Sequence, residues 1–144
     1  MTPATVLTAT IARLTAAGLT EARSPLGVVA ASNQRINRGF SVLPANLSPA
    51  PRPDRGRSNT AGLRVEQSLS VSLSHAAKPG DGQAAPNQAL LDLHSVWAKL
   101  SLAGTTLTTG GAIRIGRAST SYEGGGAYLI TNFDLTVTYN LDLT

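Results

Sequence analysis

AYLITNFDLTVTYNLDL, residues 127–143, reads as one long strand. From Leu129, alternate positions run Leu129, Thr131, Phe133, Leu135, Val137, Tyr139, Leu141 and Leu143. Between them lie Ile130, Asn132, Asp134, Thr136, Thr138, Asn140 and Asp142. Successive side chains of an extended backbone point to opposite faces, so this spacing predicts one apolar face against a core and one polar face outside it. At about 3.4 Å per residue the strand would exceed roughly 50 Å, far beyond an ordinary strand of about 20 Å. A strand that long must bend, bulge or run past its own core. Nothing in it suggests catalysis.

The same alternation recurs upstream. Over 62–74, Leu63, Val65, Leu69, Val71 and Leu73 share a face with Gln67, and Arg64, Glu66, Ser68, Ser70, Ser72 and Ser74 share the other. Ile36, Arg38, Phe40 and Val42 predict a strand at 36–43, and Ile113 and Ile115 around Arg114 predict one at 112–118. The Gly124–Gly126 run is the turn that leads into the last strand. Two helices complete the reading. Residues 3–17 start with Thr2 as a cap and Pro3 in the first turn, and Gly18 ends them. Residues 86–102 carry Ala89, Leu90, Leu93, Val96, Trp97 and Leu100 on one face, with Asp92 and Lys99 opposite. The expected architecture is α+β, an antiparallel four-stranded sheet with two helices packed on one face. It forms a single domain over 1–144, with a long Pro/Arg loop at 44–61. Trp97 and Phe133 are expected in its core.

With only 4% aromatic residues, that core must rest on Leu, Val, Ile and Ala. The absence of cysteine rules out disulfides and thiolate metal sites. No apolar run approaches the ~18 residues needed to cross a bilayer, so no membrane association is expected. The first twenty residues lack the basic start and continuous apolar centre of a secretory signal, so none is expected there. His75, at a strand end, is expected in solvent, and His94 at the border of the apolar face of the second helix. Neither histidine has an acid or nucleophile at a motif spacing, and the acids form no ligand cluster. No cofactor is expected, and no enzyme activity.

Charge is concentrated. Residues 23–64 hold seven arginines against Asp54, a net of +6, within a chain whose total is +4. Arg52, Arg55 and Arg57 sit in the proline-rich loop and are the candidate contacts to an acidic partner or to DNA. On the second helix, Leu91, Ala98 and Leu102 form a second apolar stripe that one core cannot easily bury, which makes it a candidate subunit interface.

The N-terminal helix, the Phe40/Val42 strand, the Arg-Pro loop, the Val65–Leu73 strand, the Trp97 helix and the terminal strand through Tyr128, Phe133, Val137 and Tyr139 together resemble the tail terminator proteins of long-tailed bacteriophages. The resemblance covers most of the chain and rests on pattern and element order. It implies a homo-oligomeric ring, typically a hexamer, located in the virion at the tail end near the head and assembled in the host cytoplasm. Such a ring caps the tail tube protein, meets the neck or connector protein on its other face, and lets DNA pass through its hole. The alternative is a small nucleic-acid-binding module that grips phosphates with the Arg-rich loop. Against it, neither helix is strongly basic and the strands lack interleaved aromatics for base stacking.

Overall fold

The computed structural model describes residues 2–22, 36–49, 63–78, 80, 82–101 and 112–141. Among them the order is α1 (Pro3–Ala16), β1 (Thr20–Glu21), β2 (Gly39–Pro49), β3 (Leu63–Ala76), α2 (Ala84–Ser101), β4 (Ala112–Ile115), β5 (Ser119–Glu123) and β6 (Tyr128–Leu141). The class is α+β, but the sheet has six strands and is mixed, which corrects the expected four-stranded antiparallel sheet. The strand order is β1-β2-β3-β6-β4, and β5 also pairs with β6. The two additional strands are β1, a two-residue strand parallel to β2, and β5, which lies along β6 next to β4.

The long alternating segments form the centre. β3 and β6 pair antiparallel without a break from Leu63 opposite Leu141 to Ala76 opposite Tyr128. That register puts Val65, Leu69, Val71 and Leu73 on one face with Phe133, Leu135, Val137 and Tyr139, all of them buried. Val6 and Leu14 of α1 and Val96 and Leu100 of α2 close over this face. The opposite face carries Ser68, Ser70 and Ser72 beside Asn132, Thr136 and Thr138, and Ser72 Oγ donates to Asn132 Oδ1 across the pair. The length of β6 is accommodated by sharing one of its sides between β4 and β5. Gly116 lies between those two, and its N–H donates to the Asp134 carbonyl at 2.7 Å.

α1 begins as its sequence indicates. Thr2 and Thr5 form a capping box in which each side chain satisfies the other's backbone N–H. Thr10, buried in the apolar face, returns its hydroxyl to the Val6 carbonyl at 2.8 Å, so its burial costs no unpaired group. The N-terminal end of α1 is pinned to the sheet by Gln67, whose Nε2 donates to the Pro3 carbonyl at 3.2 Å. Gln67 Oε1 accepts from Tyr139 Oη at 2.8 Å, and burial pushes the Tyr139 phenol above its usual pKa.

The proline-rich loop starts later than expected. Pro44–Pro49 continue β2 past a bulge between Pro44 and Asn46, and only 50–61 of that segment fall outside the described residues. The β5–β6 turn spans Gly124–Ala127, where Gly124, Gly125 and Gly126 all have positive φ, a conformation that glycine adopts without steric cost.

Candidate functional site

The α2 surface carries the first candidate. Leu91 is 63% exposed and Ala98 is also exposed, while Leu102 lies outside the described residues. Leu90 was expected in the core but is 64% exposed, so the buried stripe of α2 is Ala89, Asp92, Val96 and Leu100. Trp97 flanks that stripe. It is half-buried, a departure from the expected full burial, with its ring edge-on to Phe133 at a centroid distance of 6.0 Å. Arg52, Arg55 and Arg57 lie outside the described residues, as does the 23–35 part of the basic block.

Ile36 aside, the large apolar side chains left exposed among the described residues fall into two groups. Leu43, Leu47 and Leu63 belong to β2 and the start of β3. Leu90, Leu91 and Tyr122 belong to α2 and β5. β2 lies on one side of the central β3–β6 pair and β5 on the other. Between α2 and β5 is a groove of about 390 Å³ lined by Ala89, Leu90, Leu93, Thr120, Tyr122 and Leu129. Every residue along it is uncharged. Thr131, 1% exposed, also lines this groove, and its Oγ1 has no hydrogen-bond partner among the described residues.

The two sheet edges differ in backbone chemistry. The Ala22 N–H donates to the Phe40 carbonyl at 2.8 Å, so Phe40 directs its peptide groups away from β3. Residues paired with odd-numbered positions of β3 share that direction, because N–H and C=O of one strand residue point to the same side. Val42, Pro44, Leu47 and Pro49 therefore face outward, and two of those four positions are prolines without a donor. Such prolines blunt an edge against indiscriminate pairing. On β5, the outward-facing residues are Thr120 and Tyr122, opposite Thr131 and Leu129, and both keep their N–H.

A polar cluster sits inside the fold where the sequence suggested solvent. Asp92 is 3% exposed and His75 is 1% exposed. His75 Nε2 lies 2.7 Å from Asp92 Oδ2. Arg38 spans the carboxylate with both arms, Nε to Oδ2 at 3.0 Å and Nη2 to Oδ1 at 2.9 Å, and Gln88 Nε2 donates to Oδ1 at 3.1 Å. Burial alone would raise the Asp92 pKa, but hydrogen bonds from Arg38, His75 and Gln88, with the Arg38 charge, hold it below the usual carboxylate range. Hydrogen bonding to Asp92 raises Arg38 in return. Arg38 has φ of 54°, an unusual conformation for a residue with a side chain. Its carbonyl accepts from the Thr20 N–H while its guanidinium is held by Asp92, so the strain is fixed from both ends.

A histidine oriented by a carboxylate is half of a nucleophile-activating arrangement. Among the described residues the other half is missing: His75 Nδ1 is buried without a hydrogen-bond partner there, and no hydroxyl of those residues is held where the imidazole could deprotonate it. The cluster acts as a clasp joining the β1–β2 connection, β3 and α2. Signals for it were present, since His75 continues the apolar alternation of β3 and Asp92 lies three residues after Ala89 and four before Val96.

Among the described residues, no group of three or more His, Asp or Glu side chains could hold a metal ion, and no helix is long and apolar enough to cross a membrane. The chain matches no protein-family model and no curated protein.

Proposed function

We propose that this chain is a structural assembly protein that associates head to tail into a closed ring, in the role of a phage tail terminator. The observation that carries the reading is the placement of two different exposed apolar surfaces on opposite edges of one sheet, at Leu47 on β2 and at Leu90/Tyr122 beside β5. A two-fold dimer needs one surface that is complementary to itself. Two distinct surfaces instead favour heterologous contact, which closes into a ring when the rotation per subunit allows it. Exposed apolar patches on small domains commonly mark such contacts. The element order and the Phe40, Trp97 and Tyr128–Tyr139 patterns that resemble tail terminators support the same assignment, including a hexamer as the expected ring.

In this role the protein needs no bond chemistry. A ring seated on the end of a tube occupies the interface that the next tube subunit would use, and it offers a different surface to the neck protein. The Arg52/Arg55/Arg57 segment would pair with carboxylates on one of those partners, for which the planar guanidinium fork is suited. Sedimentation velocity over a wide concentration range tests the association step. A single boundary at the mass of a closed oligomer is expected, and a monomer at every concentration would overturn the reading.

A further inference from the structure

We infer that the outer edge of β5 receives β2 of a second copy of this chain, with Leu47 of one copy opposite Tyr122 of the other. The inference rests on the ring reading and specifies how its subunits meet. β2 and β6 both run antiparallel to β3, and β5 runs antiparallel to β6, so β5 and β2 have opposite directions within one sheet. When a copy is rotated without being turned over, its β2 therefore meets the neighbouring β5 as an antiparallel partner.

Backbone groups set the register. Leu47 is an outward-facing β2 residue with a donor, flanked by the outward Pro44 and Pro49, which have none. β5 offers Thr120 and Tyr122. Placing Leu47 opposite Tyr122 lets these two exchange both N–H···O=C bonds, and it puts Pro49 opposite Thr120, where the Thr120 N–H donates to the Pro49 carbonyl. One residue of slip in either direction would turn the side chains of one strand to the opposite face. In this register the faces agree. Leu47 pairs with Gln67 and Tyr122 with Leu129, and both partners are buried on the helix-covered face. Leu47, 51% exposed, thus lies beside Tyr122, 59% exposed, over the mouth of the uncharged groove. The prolines of β2 permit this register while withholding the donors that other strands would need.

The chain contains no cysteine, so a paired replacement is a clean test. In this register Ser48 lies opposite Ser121 as a pair that exchanges no hydrogen bonds, where Cα atoms are about 4.5 Å apart and side chains are close enough for a disulfide. Both serines are exposed. Oxidation of Ser48→Cys/Ser121→Cys should give a ladder of covalent multimers, and each single variant should give none. Covalent dimers from Ser48→Cys alone would indicate a self-facing contact and overturn the pairing. A second variant, Thr120→Pro, removes a donor that the internal ladder does not use. It should keep the wild-type melting temperature and weaken association at least tenfold. If the wild-type protein forms its ring but the double variant yields no ladder, or Thr120→Pro associates normally, the pairing is wrong and the ring reading stands. A wild-type protein that never associates removes both.

Discussion

His75 on β3 and Asp92 on α2 face each other at 2.7 Å inside the fold, and each explains the burial of the other. A carboxylate at this depth is tolerable because it accepts four hydrogen bonds, two of them from Arg38. With Asp92 ionised, Nε2 of His75 must carry the proton that it shares with Oδ2.

The first prediction concerns acid. The folded-state pKa of Asp92 lies below its unfolded value of about 3.9, so its contribution is complete above that value and is lost as pH falls through the folded pKa. Asp92→Asn should therefore flatten the acid limb of a plot of melting temperature against pH. At neutral pH it should also cost about 3 kcal/mol, because it leaves His75 and Arg38 without their anion. Equal acid limbs in the two proteins would show that Asp92 is not the responsible group.

Gln67 and Tyr139 provide a second test. Tyr139→Phe removes the donor at 2.8 Å and leaves the buried Gln67 Oε1 without it, which should cost about 1–2 kcal/mol in chemical denaturation. Gln67→Ala should cost more, since it also releases the Pro3 carbonyl at the start of α1. A neutral Gln67→Ala would mean that α1 is held without this bond.

Trp97 separates packing from polarity. Trp97→Ala should destabilise by about 3 kcal/mol, at the lower end for aromatic truncation because the ring is only half-buried. Trp97→Phe should stay within about 1 kcal/mol of the wild type, because the indole N–H it deletes has no partner among the described residues. An equal loss in both variants would show that the full width of the indole matters more than its contact with Phe133.

The exposed leucines of α2 bear on assembly rather than folding. Leu90→Asp with Leu91→Asp should leave the melting temperature within the range of ordinary surface changes, about 0.5 kcal/mol, because both side chains are nearly two-thirds exposed. The same variant should associate more weakly. Unfolding of the variant would place these side chains in the core.

Legibility in the sequence followed the strength of periodicity. β3 and β6 were readable because each buries one face over fourteen residues, and α1 because Thr2, Pro3 and Gly18 mark its limits. β5 was not, since Ser119–Glu123 has no apolar alternation and is defined by its pairing with β6. Pro44 and Pro49 suggested a loop because proline cannot donate to a ladder, yet both occupy outward positions of β2 where no internal donor is required. Taken one at a time, Asp92 and His75 read as solvent-facing. Only their pairing makes either burial reasonable, and they are distant in sequence. The basic loop was legible as composition alone, and composition does not specify which partner it meets.

Negative-stain imaging of the purified protein distinguishes closed from open association. Uniform rings with a central hole, of one diameter across concentrations, are expected. Isolated monomers at all concentrations, or filaments of unlimited length, would contradict the ring reading.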